Sequence, residues 1–306
     1  MTAPYQPPEP FARTVRGTFG AAGAAWLADL PALIDATAAR WQLTLGAPLP
    51  NPSYNLVIPA ADADGRAVML KLGVTNDELS SEIDALRHYD GYGAVRLLAA
   101  DAEAGALLLD RVTPGTELVT VADDDTAMRI FAQVMARLHR PPPTDHRFIT
   151  VERWLRGFAR HRARYGGGTG PLPRALFDAA EGLARELAAS QGPPVLLHGD
   201  LHHYNILKSG ESWVAIDPKG VVGERAYEVG TWLRNPLPPD TRGPLSPARL
   251  ARRLDVLAEA LGEDRARLLG WGVAQAVLST VWSLEDGGDP APAVGFAEAL
   301  ASLLPG

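Results

Sequence analysis

HGDLHHYNIL at residues 198–207 and AIDPKG at residues 215–220 are the stretches with the most specific chemical signal in the chain. Within them, Asn205 follows Asp200 by five residues, and Asp217 follows Asn205 by twelve. These residue types can supply two oxygen ligands for a hard divalent cation and one carboxylate that accepts a proton from an attacking hydroxyl. Each of the three alone is typical of a turn. Together, at this spacing, they favour phosphoryl transfer over a structural role.

The composition narrows the class of protein. The chain has 306 residues, 46% of them hydrophobic and 21% charged, which predicts a folded protein of two domains or one two-lobed domain. The 29 Lys and Arg residues against 36 Asp and Glu residues give a net charge of −7, and no basic run occurs. We therefore expect no nucleic-acid partner and favour a neutral or cationic small molecule. The absence of cysteine excludes disulfides and thiolate chemistry.

Neither a secretion signal nor a membrane span is predicted. Residues 1–10 are rich in proline and are followed by no apolar core of the length that a signal peptide needs. The most apolar stretch, residues 268–282, is interrupted by polar residues and is shorter than the ~20 residues of a membrane span. We expect a cytoplasmic protein without a membrane partner. The sequence predicts no oligomeric state.

The first third of the chain predicts a small sheet with helices. Apolar residues between 21 and 41 recur on one helical face, and Pro31 is expected to divide this segment into two short helices. DADG at 62–65 predicts a hairpin turn, and a helix capped by Asn76 is expected to run to about Tyr89. Strands are predicted at 41–45, 54–58, 67–72, 95–100 and 106–112.

The remainder of the chain is mainly helical in pattern. Helices are predicted at 123–140, 151–165, 172–190, 247–261 and 264–285, short strands at 195–197 and 213–216, and a loop at 235–247. The sequence thus predicts an α+β fold in two lobes. An amino-terminal lobe with a small mixed or antiparallel sheet spans 1–112, a connector spans 113–116, and a larger helical lobe spans 117–306.

The motifs resemble those of a kinase family. HGDxxxxN at 198–205 and IDP at 216–218 are similar to the catalytic loop and metal-binding segment of the aminoglycoside-kinase branch of the protein-kinase-like fold. Residues 199–207 and 215–236 resemble more closely the aminoglycoside/hydroxyurea resistance kinases, which are best known for phosphorylating streptomycin. The likeness extends from about residue 26 to residue 285.

By this resemblance the three motif residues take distinct roles. Asp200 is expected to be the catalytic base, Asn205 a Mg²⁺ ligand and Asp217 the principal Mg²⁺ ligand. The implied activity is an ATP- and Mg²⁺-dependent phosphotransfer to a hydroxyl of streptomycin or a related aminoglycoside.

The resemblance also implies a nucleotide site in the amino-terminal lobe. Lys71, one of only three lysines in the chain, lies on the predicted third strand, where a point charge would contact the ATP phosphates. Glu82 on the following helix is expected to hold that lysine, as in the family pattern. Glu78 lies one turn earlier on the same helical face and is the alternative.

Three further residues are expected to contact the nucleotide. The family's phosphate-binding turn corresponds to PNPSYN at 50–55, where Ser53 or backbone amides would face the phosphates in the absence of a GxGxxG motif. The stretch at 107–115 resembles the family's lobe connector. There, Asp110 and Val112 are expected to offer backbone groups to adenine.

A site for a cationic acceptor is predicted from carboxylates and aromatic faces. Glu224 and Glu228 follow the metal-binding segment at a spacing of four, although the family more often has aspartates in this stretch. Trp282 and Glu285 belong to a stripe on the last predicted helix, and such a stripe is more often packing than binding. The other members of this stripe are Trp271, Gln275 and Leu278.

Other functions stay open from the residues alone. His202 and His203 beside Asp200 suggest a metallophosphoesterase, but no partner GNH segment occurs, and Lys71 and Asp217 would then have no role. We interpret both histidines as structural, and the role of Lys219 is undecided. A kinase of the same fold acting on hydroxyurea, a metabolite alcohol or a sugar is the main alternative. A nucleotide-binding pseudokinase is disfavoured because all the catalytic residue types are present.

Overall fold

The computed structural model describes residues 5–236 and 245–305 of the chain. Its elements fall into two units, which meet between Thr113 and Pro114. The first contains a five-stranded sheet, and the second is mainly helical with two three-stranded sheets. The predicted α+β class, with a smaller sheet-containing lobe and a larger helical lobe, is confirmed. The assignment of separate functions to the two lobes stays a prediction.

The first unit is an antiparallel sheet with the strand order β1-β2-β3-β5-β4. The predicted hairpin joins β2 to β3, and Asn76 accepts the Leu79 N–H at 2.8 Å as the cap of α2. The elements in chain order are α1 (Glu9–Arg40), β1 (Thr44–Leu45), β2 (Leu56–Ala61), β3 (Ala67–Leu72), α2 (Asp77–Tyr89), β4 (Leu97–Asp101) and β5 (Ala106–Asp110).

The prediction that Pro31 divides the first helix is wrong. Helix α1 continues through Pro31, and its interruption lies at Gly20, whose φ of +56° is readily adopted without a Cβ atom. Leu30 and Ile34 on either side of the proline are buried in the core of this unit. Their packing holds the helix together at a residue that by itself disfavours helix.

One helix in the described part of the chain, α1, is long and apolar enough to cross a membrane by length and composition. This is weak evidence, because a core helix of a soluble protein satisfies the same two criteria. Several apolar residues of α1, among them Phe11 and Leu30, pack in the same core as strand residues Leu56 and Leu70. The cytoplasmic location stays a prediction.

The second unit begins with a strand that the sequence pattern did not predict. Residues 114–116 of the predicted connector form β6 (Pro114–Glu117) together with Glu117, and β6 pairs antiparallel with β9 (Ile206–Ser209). The partner strand is distant along the chain, so a local pattern cannot indicate the pairing. The two sheets of this unit have the strand orders β10-β9-β6 and β7-β11-β8.

The five predicted helices of the second unit agree with the structure to within two residues at each end. Strands β7, β9 and β11 and helices α6 and α9 were not predicted. Residues 237–244 of the predicted loop lie outside the described residues. After β6 the elements are α3 (Asp124–Leu138), β7 (Ile149–Thr150), α4 (Val151–Arg164), α5 (Arg174–Ala189), β8 (Val195–Leu197), β9, β10 (Ser212–Ala215), β11 (Val221–Gly223), α6 (Val229–Arg234), α7 (Pro247–Leu261), α8 (Arg265–Glu285) and α9 (Ala291–Ala301).

An ion-pair network joins α3 to α7 and fixes the end of α6. The fully buried Arg253 donates to both oxygens of Asp124, at 2.9 and 2.8 Å. Its remaining Nη1 donates to the carbonyls of Leu233 and Asn235, at 3.1 and 2.6 Å. Burial alone would raise the pKa of Asp124, but the hydrogen bonds and charges of Arg253 and Arg249 outweigh it and lower the pKa to about 2.

Replacing Asp124 by asparagine removes the charge that compensates Arg253. The folded-state pKa of Asp124 lies below its unfolded value, so the ionised carboxylate stabilises the fold above about pH 4, and this effect is lost as the pH falls towards 2. We expect Asp124→Asn to lower the free energy of unfolding by about 2 kcal/mol at pH 7 and by about half that near pH 3. Urea denaturation measures both values.

The matched control is Asp125→Asn. Asp125 pairs with Arg252, whose side chain is 61% exposed, and an exposed pair contributes about 0–1 kcal/mol. An Asp124→Asn effect no larger than that of the control, or one that does not shrink in acid, would contradict the stabilising role of the network.

Candidate active site

A buried ion pair forms the polar centre of the first unit. The Lys71 Nζ on β3 lies 2.6 Å from the Glu82 Oε1 on α2, and the two side chains are 2% and 8% exposed. Buried charges of this kind are tolerated only when each compensates the other. The predicted pairing of Lys71 with Glu82 is confirmed, and Glu78 is exposed. The contact of Lys71 with a nucleotide stays a prediction.

The other predicted nucleotide contacts lie in or beside the sheet of the same unit. Ser53 is exposed on the loop between β1 and β2. Asp110 ends β5, where its N–H donates to the Arg96 carbonyl at 3.0 Å and its carboxylate pairs with Arg66. The Asp110 N–H is thus already used within the unit. Val112 is half-buried just beyond the strand.

The loop that carries Asp200 begins directly after strand β8, and a glycine allows its sharp turn. Gly199 has a φ of +84°. A Cβ atom there would lie 2.7 Å from Val221 and 3.1 Å from the ring of Trp154. A side chain at this position would therefore both strain the backbone and displace its neighbours.

Glu228 holds the start of this loop through hydrogen bonds to its backbone. Its side chain is fully buried, and its two carboxylate oxygens accept the N–H groups of His198 and Gly199 at 2.7 and 2.9 Å. The His139 Nε2 lies 3.4 Å from the same carboxylate. The His198 carbonyl in turn accepts the Lys219 N–H at 2.7 Å. The loop is thus tied both to Glu228 and to the segment after Asp217.

His198 connects the catalytic loop to the metal-binding segment through its ring. Its Nδ1 faces the N–H of Asp200 at 3.2 Å, and its Nε2 faces the carbonyl of Ile216 at 2.8 Å. A ring that accepts at Nδ1 and donates at Nε2 is neutral. Burial lowers the pKa of His198 below its ordinary value, in agreement with this tautomer.

The Asp200 carboxylate has a basic group beside each of its oxygens. The His202 Nε2 lies 3.6 Å from Oδ2, and the Arg234 Nη2 lies 3.9 Å from Oδ1. Burial alone would raise the pKa of Asp200, but the His202 imidazole and the charge of Arg234 outweigh it, and the pKa lies below its ordinary value. The side chain is 31% exposed. It is therefore an ionised carboxylate that a small molecule can reach.

Asn205 and Asp217 present the donor set that a Mg²⁺ ion bound to phosphates requires. The Asn205 Nδ2 donates to the Asp200 carbonyl at 2.9 Å, which leaves the Oδ1 of the amide for a cation. Asp217 is half-buried and has a left-handed φ of +59°. Among the described residues no cluster of three or more His, Cys, Asp or Glu could hold a metal. One amide and one carboxylate fit Mg²⁺, which takes its other ligands from phosphate and water.

The two histidines after Asp200 belong to the structure of the loop. The His202 Nδ1 accepts the Tyr204 N–H at 3.3 Å, so its Nε2 carries the proton that points towards Asp200. The His203 ring is buried and stacks on Trp232 with 3.7 Å between ring centroids. These contacts agree with the structural interpretation of both residues.

The burial and the internal contacts of Glu224 and Glu228 argue against the acceptor role predicted for them. Glu224 is buried, and its carboxylate accepts the Arg267 guanidinium at 2.6 Å and the Trp271 Nε1 at 3.2 Å. Glu228 is fully occupied by the loop, as described above. A buried carboxylate whose oxygens already serve internal donors cannot bind a substrate cation without losing those bonds.

The stripe on α8 divides into a buried part and an accessible part. Trp271, Gln275 and Leu278 are buried and serve packing. Trp282 is half-buried and contacts Trp154 edge to face, with 5.4 Å between centroids. Glu285 is exposed, and its Oε1 lies 3.5 Å from the Arg160 Nε. Only Trp282 and Glu285 keep the accessibility that an acceptor contact requires.

Sequence reasoning missed Arg234 and Trp154, both of which lie at the catalytic loop. An arginine that ends the otherwise apolar helix α6 is a signal that could have indicated Arg234. No sequence signal indicates Trp154, because its position beside Gly199 depends on the packing of α4.

Comparison with known proteins identifies the family. The profile of the aminoglycoside/hydroxyurea antibiotic resistance kinases matches residues 40–287. A streptomycin 6-kinase from Streptomyces glaucescens is 35% identical over 313 aligned positions, covering 96% of this chain and 96% of that protein. A streptomycin 3''-kinase from Klebsiella pneumoniae is 34% identical and covers 81% of this chain and 91% of that protein.

A solved structure supports the fold. A thermostable mutant of an aminoglycoside phosphotransferase, in a ternary complex with ADP and hygromycin B, matches with a TM-score of 0.63. The match covers 88% of this chain and 97% of that one at 15% identity, so it concerns the fold alone. The class of the protein follows: it is a phosphotransferase of the protein-kinase-like fold. More narrowly, the chain belongs to the aminoglycoside/hydroxyurea antibiotic resistance kinase family.

Replacing Glu228 by glutamine tests the support of the catalytic loop. Glutamine has one carbonyl oxygen where the carboxylate has two, so either the His198 or the Gly199 N–H loses its acceptor. A buried N–H without a partner costs about 1–3 kcal/mol. We expect Glu228→Gln to lower the free energy of unfolding by that amount and to reduce ATP turnover. Urea denaturation and a turnover assay measure the two effects.

The exposed Glu259 provides the matched substitution. Glu259→Gln should change neither quantity, because its side chain supports no part of the loop. If Glu228→Gln is as stable and as active as Glu259→Gln, the catalytic loop does not depend on the Glu228 carboxylate.

Proposed function

We propose that this protein is an ATP- and Mg²⁺-dependent small-molecule kinase that phosphorylates a hydroxyl of streptomycin or a related aminoglycoside. The observation that carries the proposal is the ionised, accessible Asp200 carboxylate, held on a loop whose Asn205 amide oxygen is left for a cation. Membership of the family supports the reaction class. The named streptomycin kinases among its relatives support the acceptor class.

In this proposal Asp200 is the general base. Its carboxylate accepts the proton of the acceptor hydroxyl as the hydroxyl oxygen attacks the terminal phosphorus of ATP. The bond from that phosphorus to the bridging oxygen breaks, and ADP leaves. General-base catalysis of this kind contributes about 10²- to 10⁴-fold to the rate. The pKa of Asp200 below its ordinary value keeps the carboxylate ionised at neutral pH, so that the base is present in its proton-accepting form.

Residues of each unit are proposed to act on the nucleotide. In the first unit, Lys71, held by Glu82, is proposed to contact the phosphates with its ammonium group, and in the second unit Asn205 and Asp217 would hold Mg²⁺. When bound, the ion neutralises negative charge on the phosphates. Ser53, Asp110 and Val112 remain the proposed contacts of the phosphates and the adenine.

The acceptor side is proposed to include Trp282 and Glu285, joined by Trp154. Trp154 lies beside Gly199 and forms an aromatic pair with Trp282, so the two rings belong to the region that carries Asp200. Aromatic faces and a carboxylate are groups that attract guanidinium and ammonium ions. Glu285, one turn beyond Trp282, supplies the carboxylate.

The relatives provide two candidate positions of phosphorylation and a second candidate acceptor. The two streptomycin kinases named above differ in the position that they phosphorylate. The family name also includes hydroxyurea, which favours hydroxyurea as the second candidate acceptor.

An ATP-consumption assay with Mg²⁺ tests the proposal across streptomycin, other aminoglycosides, hydroxyurea and metabolite alcohols. We expect turnover with streptomycin and a mass gain of about 80 Da in the product, the increment of one phosphoryl group. Asp200→Asn is expected to lower kcat by about 10²- to 10⁴-fold with nearly unchanged Mg-ATP binding. Asp217→Asn should instead weaken Mg-ATP binding.

Each outcome discriminates between functions. Turnover with hydroxyurea or an alcohol alone would keep the kinase and replace the acceptor. Mg-ATP binding without turnover of any acceptor would favour a pseudokinase and overturn the proposal. An unchanged kcat in Asp200→Asn would show that the base is another residue.

Trp282 and Glu285 give a separate prediction for the acceptor site. Trp282→Leu removes the aromatic face but keeps an apolar side chain, and Glu285→Gln removes the charge alone. A cation over an aromatic face is worth about 0.5–2 kcal/mol. We therefore expect the KM for a cationic acceptor to rise by about 2- to 30-fold in Trp282→Leu and also to rise in Glu285→Gln, while the KM for ATP stays constant.

Steady-state kinetics with varied acceptor and varied ATP provide the measurement. The exposed Glu259→Gln serves again as the carboxylate control, because it should leave the KM values for ATP and acceptor unchanged. Equal changes in both KM values would contradict an acceptor-specific role for Trp282 and Glu285.

A further inference from the structure

Arg234 is a partly buried cation at the catalytic loop that the mechanism above does not use. It is the last residue of α6, and its side chain is 24% exposed. Its Nη2 lies 3.9 Å from the Asp200 Oδ1, and its Nη1 donates to the Ser279 hydroxyl on α8. Burial lowers the pKa of Arg234, although a guanidinium stays protonated in proteins. A cation is thus retained beside the base at a cost in desolvation.

The surrounding contacts hold Arg234 in place. Helix α6 packs so closely on α8 that a Cβ atom on Gly230 would lie 2.2 Å from the Gln275 side chain. Thr231 donates to the same Gln275 at 3.3 Å, one turn before the contact of Arg234 with Ser279. Arg253 binds the two carbonyls that flank Arg234 in the chain. The backbone of Arg234 is therefore fixed from two helices.

The Asp200 carboxylate lies between two groups that can orient it, one of which is the fixed Arg234 cation. The Arg234 Nη2 lies on the Oδ1 side of the carboxylate and the His202 Nε2 on the Oδ2 side. At 3.9 and 3.6 Å both groups are beyond ordinary hydrogen-bond distance and leave the lone pairs of the carboxylate unoccupied. Arg234 acts on the carboxylate by its charge, and the neutral His202 ring directs its Nε2–H towards Oδ2. An aspartate without such neighbours would distribute over several rotamers.

We infer that Arg234, anchored by Ser279, is a positioning residue that holds the Asp200 carboxylate in the orientation that accepts the proton of the acceptor hydroxyl. The inference rests on the proposed role of Asp200 as general base. Arg234 itself contacts neither the reacting hydroxyl nor the phosphate in this scheme. Its loss should therefore slow the chemical step without changing nucleotide binding.

Kinetics of Arg234→Gln and Arg234→Lys test the inference. A misplacement of the base by about 1 Å costs up to 10²-fold in rate, so we expect Arg234→Gln to lower kcat by about 10- to 100-fold with an unchanged KM for ATP. Arg234→Lys keeps the positive charge and should recover most of that loss. Ser279→Ala, which loosens the anchor, should give a smaller decrease in kcat.

The matched control is Arg249→Gln. Arg249 is 20% exposed and pairs with Asp124 at 3.3 Å, in the same unit but with a different aspartate. It should lower the free energy of unfolding without lowering kcat of the folded enzyme. If Arg234→Gln does not fold, the comparison of Arg234→Lys and Ser279→Ala with wild type still measures the dependence of kcat on this contact.

Failure of this inference is distinct from failure of the proposed function. Wild-type turnover is measured first, with the acceptor panel and with water as acceptor through slow ATP hydrolysis. An active wild type whose kcat is unchanged in Arg234→Gln, or equally low in Arg234→Gln and Arg234→Lys, overturns the positioning role alone. If the wild type shows no ATP turnover with any acceptor of the panel or with water, both the positioning role and the proposed function are overturned.

Discussion

The two hydrogen bonds that the Glu228 carboxylate accepts from the backbone of His198 and Gly199 are the constraint on which the site depends. Burial of a carboxylate costs free energy unless hydrogen-bond donors compensate its charge. The Glu228 side chain therefore requires the loop N–H groups in this position, and the loop requires the carboxylate. The loop then presents Asp200 and, through the Asp200 carbonyl, orients the amide of Asn205. The position of the loop, and with it that of Asp200, thus depends on the buried Glu228 carboxylate and its hydrogen bonds as well as on the hydrophobic core.

Charge near Asp200 is arranged to keep its carboxylate ionised and oriented. His198 is neutral because its ring donates at one nitrogen and accepts at the other, whereas Arg234 remains charged. A neutral ring within the loop and a cation at the end of α6 therefore lie near the Asp200 carboxylate, and only the cation contributes charge. The His198 N–H is held by Glu228 and the Arg234 guanidinium by Ser279, and both of these partners follow the metal-binding segment in the chain.

Because Glu224 and Glu228 are buried, the proposed acceptor site has fewer carboxylates to attract a cationic substrate. Their carboxylates compensate Arg267 and the loop backbone, so they contribute to folding. Under the proposed function, recognition would depend less on charge and more on the tryptophan pair of α4 and α8. An acceptor site that uses aromatic faces in place of carboxylates is compatible with a family whose members are named for chemically different acceptors.

Local periodicity and turn residues specify five helices of the second unit and the β2–β3 hairpin, and the family resemblance indicated the Lys71–Glu82 pair. Tertiary packing decides the pairing of β6 with β9 and the continuation of α1 through Pro31. It also decides that Glu224 and Glu228 are buried and that Arg234 lies beside Asp200. The physical reason is that burial and compensation of charge depend on partners distant along the chain, which a local pattern does not contain.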